Sequence, residues 1–140
     1  MKISLPAKIL GGIWMSCLTV LTHSQDLSST WRLRVANTDN QIKAEATIRF
    51  SNETARSCMA GTWKRVLVET KAAQAEEFFP LAGPLAYKLE NGALTLGRTE
   101  VCDGFLFLSG KAEAQVIHGS YDAIGWGSRK LGSFSLQQMQ

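Results

Sequence analysis

The sequence predicts an all-β fold: a single small antiparallel barrel, or a sandwich, of about eight strands held by one disulfide. Three observations point there. Gln41 to Phe50 alternates strictly between apolar and polar residues. Asn91-Gly92 sits between two short alternating runs. No long stretch carries helical periodicity, apart from one group of helix formers at residues 71–79. Of the 140 residues, 45 % are hydrophobic and 19 % charged, a globular balance that excludes a disordered tail, a coiled coil and a collagen-like rod.

The chain opens with a targeting pattern. Met1 to Lys8 carries Lys2 and Lys8 and no acid, and Ile9 to Leu21 is apolar. Thirteen residues are too few to cross a hydrocarbon core, which takes about 20. Thr22-His23-Ser24 then supplies small residues before a cut. This is the three-part pattern of a secretory signal peptide, with cleavage expected after Ser24. The other reading of the segment is a buried first helix. Cys17 lacks the leucine and small residues that a lipoprotein signal places before its cysteine.

Removing residues 1–24 changes the whole-chain arithmetic. A 116-residue domain spanning 25–140 remains, with 13 basic residues against 12 acids, so a net charge of +3 becomes +1. His118 is then the only histidine, and Cys58 and Cys102 the only cysteines. Two cysteines in an exported chain are most simply one disulfide. Neither lies in a C-x-x-C, and no histidine is near in sequence to activate a thiol.

The elements follow in order. Thr30 to Ala36 alternates Trp31, Leu33 and Val35 against Arg32 and Arg34, a half-buried strand. Gln41 to Phe50 turns Ile42, Ala44, Ala46, Ile48 and Phe50 to one face; the two alanines suit a tapering interior. Thr62 to Thr70 is rich in β-branched residues. Residues 71–79 have helix formers and could hold one short helix or a turn, broken by Pro80 and Pro84, within the one long connection. Leu85 to Glu90 and Ala93 to Arg98 form a hairpin, because Asn-Gly tolerates the positive φ that a type I′ turn needs at both central positions. Gly104 to Ser109 is apolar on both parities and reads as a strand buried on both faces or crossing a barrel corner. Lys111 to His118 and Leu131 to Gln137 complete the set.

These features resemble the small calycin-type barrels of bacterial envelopes. The resemblance rests on Trp31 in an early strand, the Asn91-Gly92 hairpin, and the ending His118-Gly119-Ser120-Tyr121, Gly125-x-Gly127 and Leu131-Gly132-x-Phe134-x-Leu136. Avidin-like barrels and small secreted inhibitors of proteases and lysozymes are similar in size and in a glycine-rich final hairpin. The resemblance implies a closed barrel and a binding role. The Gly-x-Trp start of lipocalins is replaced by Ser29-Thr30-Trp31. Ser109-Gly110 is similar to a lysozyme-inhibitor motif, but Glu113 stands where that motif has tyrosine, so the site does not carry over.

Candidate chemistry is sparse. His118, Ser120 and Asp122 share one face of a strand, but alternate residues lie about 6.5–7 Å apart, beyond the roughly 2.6–3.2 Å that proton transfer needs. The acids are scattered and show neither D-x-D-x-D-G nor H-E-x-x-H spacing, so no metal or cofactor site is expected. Lys64-Arg65 and Arg129-Lys130 are basic pairs rather than a patch, and a net charge of +1 gives little footprint for nucleic acid. No segment predicts stable membrane insertion.

Two segments are candidate binding surfaces. Tyr121 to Lys130 reads as a candidate recognition loop: Tyr121, Trp126 and Arg129 are the residue types that anchor interfaces, with Asp122 beside them and Trp126 held between Gly125 and Gly127. Trp126 either stands out as an anchor or folds inward as a barrel plug. Ser51 to Gly61 carries Arg56 and is tied by Cys58, so it either presents a rigid binding loop or is an ordinary stapled connection. Asn52-Glu53-Thr54 fits the N-glycosylation pattern. The expected function is a non-enzymatic exported module that binds a secreted hydrolase or toxin, as an inhibitor or immunity protein. The alternative is a small-ligand carrier that uses the barrel interior.

Overall fold

A computed structural model describes residues 27–73, 75–113 and 115–140. The expected signal peptide, residues 1–24, lies outside the described residues. Eight strands run in chain order: β1 (Thr30–Asn37), β2 (Ile42–Thr54), β3 (Lys64–Ala73), β4 (Leu85–Glu90), β5 (Ala93–Gly97), β6 (Phe105–Glu113), β7 (Val116–Ile124) and β8 (Ser128–Gln138). Each pairs antiparallel with its neighbour, and β8 pairs with β1, closing an up-and-down barrel. Closure leaves no unpaired edge strand.

Period-two patterning decides which way each side chain faces. Trp31, Leu33 and Val35 of β1 point inward beside Ala44, Ala46, Ile48 and Phe50 of β2, and all are buried in one continuous core. Asn91 and Gly92 both have positive φ, at 50° and 77°, the signature of the type I′ turn that the Asn-Gly pair predicts. Inside the barrel, the Phe134 ring lies over Gly119 and Gly110. A Cβ at Gly119 would sit 2.6 Å from Phe134 Cε1, so glycine at this inward position is what makes room for the ring.

One mouth of the barrel is plugged. The β3–β4 connection dips inward and buries Phe79 and Leu81 in the core. Phe78 and Phe79 both meet Tyr121 edge to face, at 5.1 and 5.5 Å. With Trp31, Phe50, Tyr87, Tyr121 and Phe134 buried as well, the axis is filled by large rings.

The wall opposite β1 is double-layered. Only three residue pairs join β3 to β4, from Lys64↔Tyr87 to Val66↔Leu85. Over this short seam lies the β2–β3 loop, residues 55–63, pressed against the outside of the barrel. Cys58 is disulfide-bonded to Cys102 in the β5–β6 loop, with a Cα–Cα distance of 5.4 Å. The Cys58 amide donates to the Thr99 carbonyl at 2.9 Å, and the buried Thr99 hydroxyl donates to the Arg56 carbonyl at 2.9 Å. Beneath the loop, Trp63 stacks on Phe107 at 5.9 Å, and Phe107 on Phe105 at 5.4 Å. Trp63 and Phe107 are 2 % and 3 % exposed, although both sit outside the barrel. Small residues make the trough: Ala86 packs in this second core, and a Cβ on Gly97 would meet Phe107 Cδ1 at 2.7 Å and the Leu106 carbonyl oxygen at 2.2 Å.

Three expectations need correction. No helix forms at residues 71–79 among the described residues. Lys71 and Ala73 pair with Ala46 and Glu45 in β3, and a turn follows in which Phe78 and Phe79 amides donate to the Ala75 carbonyl. Sheet pairing overrides the helix-forming composition. Lys111 to His118 is not one strand: β6 ends at Glu113 and β7 starts at Val116. Glu113↔Val116 and Ala112↔Ile117 are hairpin partners. Finally, the segment Tyr121 to Lys130 is mostly strand; β7 runs to Ile124, β8 begins at Ser128, and the turn is only Gly125-Trp126-Gly127.

Candidate functional site

The β7–β8 turn projects from the plugged mouth. The Gly125 amide donates to the Gly127 carbonyl at 2.9 Å, which tightens the turn around Trp126. Nothing lies within 4 Å of where a Cβ would stand on Gly125 or Gly127, so the tip stands clear of the barrel. The Trp126 side chain is fully exposed. A large apolar ring in water is the unusual case that asks for a partner.

Trp126 is not isolated. A groove of about 430 Å³ runs from it past Ile124, Gly104 and Phe105 to Met59 and the Cys58–Cys102 bridge. Ile124 and Val101 are also exposed. Phe105 is half-buried, and it is the open end of the Phe105–Phe107–Trp63 stack, so the groove continues the second core outward. Across β7 and β8, Arg129 lines a second concavity with Ile124 and Phe105, which places a guanidinium beside the apolar surface.

The structure sorts the sequence candidates as follows. Trp126 and Arg129 flank the same apolar surface. Asp122 sits on the outer face of β7, in register with Phe107 and Lys130, and accepts a hydrogen bond from the Ser120 hydroxyl. Arg56 is exposed on the stapled loop but borders a different, small recess with Arg65 and Glu100. Tyr121 is a correction. Its ring is 0 % exposed in the core, its hydroxyl donates to the Phe78 carbonyl, and burial pushes its pKa up to about 12. It anchors the plug, not a partner. Trp126 does the opposite of plugging. His118 is exposed on the same strand as Ser120 and Asp122. Among the described residues no three His, Cys, Asp or Glu side chains gather closely enough to hold a metal ion.

Sequence reasoning missed Val101 and Phe105; Met59 and Ile124 fall within its two candidate segments but were not among the side chains it chose. One signal was present: in Phe105-Leu-Phe-Leu108 both parities are apolar, so the outward pair needed either a cover or a partner. Phe107 has the cover, and Phe105 reaches the rim. No protein-family model, curated protein sequence or solved structure matches the chain.

Proposed function

We propose that this protein is an exported, non-enzymatic binding module that inserts the Gly125–Gly127 tip into a concave site on another exported protein, a hydrolase or toxin, in the manner of an inhibitor or immunity protein. The observation that carries the reading is Trp126, fully exposed on a turn that stands clear of the barrel. A protruding ring fits a partner's cleft better than a flat surface, and tryptophan and arginine are the side chains most often found at interface hot spots. The filled barrel axis supports a role for the surface over one for the interior. The disulfide suits an oxidising compartment, which is where an exported partner would be met.

The test uses the oxidised protein as bait in periplasmic extract or culture fluid, beside a Trp126→Ala variant. The partner identified with the unmodified protein should bind the variant about 2 kcal/mol more weakly, some 30-fold, as expected for a hot-spot residue. The variant's thermal unfolding should not change, because Trp126 packs against nothing that holds the barrel. Equal affinity of the two proteins for the partner would remove Trp126 from the interface and with it the proposal.

A further inference from the structure

The unplugged mouth, where both ends of the described chain lie, holds a cleft of about 500 Å³. That is within the roughly 300–1,000 Å³ of sites that take small ligands. Phe50, Tyr87 and Leu89 give it apolar walls, and Lys64, Lys88 and Glu90 give it charge. Phe50 and Tyr87 meet edge to face at 4.8 Å. The Tyr87 hydroxyl is already used, donating to the Ser51 carbonyl at 3.0 Å, so this residue offers the cleft its ring and not a polar group.

The two ammonium groups differ. Lys88 is satisfied: its Nζ lies 3.2 Å from the Glu90 carboxylate and 5.4 Å from the centre of the Trp63 ring. Among the described residues, Lys64 Nζ donates to the neutral amide oxygen of Asn52, at 3.2 Å. It takes part in none of the ion pairs among the described residues. Among the described lining residues, two cations against one carboxylate leave a single positive charge beside apolar walls.

We propose that this cleft binds a small monoanionic amphiphile, a carboxylate carried on an aromatic or short aliphatic body, with Lys64 holding the carboxylate. A charged acceptor would replace the neutral Asn52 oxygen, and a charge-assisted hydrogen bond is about twice as strong as a neutral one. The body would lie against Phe50, Tyr87 and Leu89. A phosphate monoester fits less well, since it brings nearly two negative charges to one free cation next to Glu90. This site lies at the mouth opposite Trp126 and is independent of the protein-binding surface.

Fluorescence titration with anilinonaphthalene sulfonate, an aromatic monoanion, tests it against phenylnaphthylamine, the same skeleton without the sulfonate. Lys64→Gln should weaken the anionic dye about tenfold or more and leave the neutral dye unchanged, and Lys64→Arg should recover the affinity. Lys130→Gln, an exposed lysine at the opposite mouth, should alter neither. Decanoate should displace the anionic dye better than decyl phosphate does. The proposal falls if the anionic dye does not bind, if Lys64→Gln affects both dyes equally or neither, if Lys130→Gln weakens the anionic dye as much as Lys64→Gln does, or if decyl phosphate is the stronger competitor.

Discussion

Replacing both Cys58 and Cys102 by serine probes the double-layered wall directly. The bridge closes a loop of sequence separation 44. Freeing a loop of that length in the unfolded chain costs about 4 kcal/mol of stability by the chain-entropy estimate. This is a large share of the roughly 5–15 kcal/mol that holds a domain of this size. The native clasp does not depend on the bridge alone. The Cys58–Thr99 and Thr99–Arg56 hydrogen bonds and the Trp63–Phe107 stack remain in place, so the serine variant should still fold to the same barrel. In urea, with a slope of roughly 1–3 kcal/mol per molar, the midpoint should fall by about 2 M, and the slope should rise because the unfolded chain without the bridge is less compact. Amide exchange should rise first along β3–β4, where only three residue pairs join the strands. An unchanged midpoint would refute the chain-entropy argument. Faster exchange at the seven-pair β1–β8 seam, with β3–β4 untouched, would refute the bracing role of the clasp.

Other predictions test the packing and the site. Phe107→Ala should cost about 3–5 kcal/mol in denaturation, the size of a core deletion, although the residue faces away from the barrel axis; a loss near zero would show that the clasp does not seal this layer. Gly97→Ala should destabilise by at least 2 kcal/mol or so, because its Cβ would meet the Leu106 backbone oxygen at 2.2 Å, whereas Gly125→Ala, in open space, should stay within about 0.5 kcal/mol. The Tyr121 phenol titrates near 12 in the folded protein and near 10.0 when exposed, so the folded state keeps a proton that the unfolded chain loses. Its contribution is therefore intact below about pH 10 and fades as pH rises towards 12. Tyr121→Phe should remove that part of the alkaline profile measured by urea unfolding at stepped pH.

The parts of the fold legible in the sequence are those set by local rules. Alternation from Ile42 to Phe50 placed one face inward, and Asn91-Gly92 placed a turn, because both depend only on neighbours. The β6–β7 hairpin was hidden because Ala112, Ala114 and Val116 continue one apolar alternation in the sequence; the pairing reverses the phase, since Ala112 is partnered by Ile117, five residues on, and the apolar Val116 is left exposed. Tyr121 was misplaced for a related reason. The inward positions before it are Ile117 and Gly119, and the glycine erases the apolar mark that would have shown the face. It is glycine because Phe134, distant in sequence, takes its space. Trp126 was legible as a candidate, since glycines on both sides signal a turn. The groove beside it was not, because Met59 and Phe105 meet there only through the disulfide and the clasp.

The second core links stability to the proposed binding surface. Its rings run from Trp63, sealed under the clasp, through Phe107 to Phe105 at the groove beside Trp126. A loop laid over an outer sheet face gains enough burial to stay there only if the sheet offers apolar rings in a shallow trough, which Ala86 and Gly97 provide. Such a trough must end somewhere, and where it ends its last ring is only half covered. Ile124 and Trp126 stand at that end, on a turn of their own, so the apolar groove is the unsealed edge of the clasp's packing. A partner that covers Trp126 would thus complete a core already begun beneath the loop, and disrupting Phe107 should loosen the groove as well as the fold. That coupling separates this reading from one in which Trp126 is an isolated exposed ring, for which changes at Phe107 would leave partner affinity untouched.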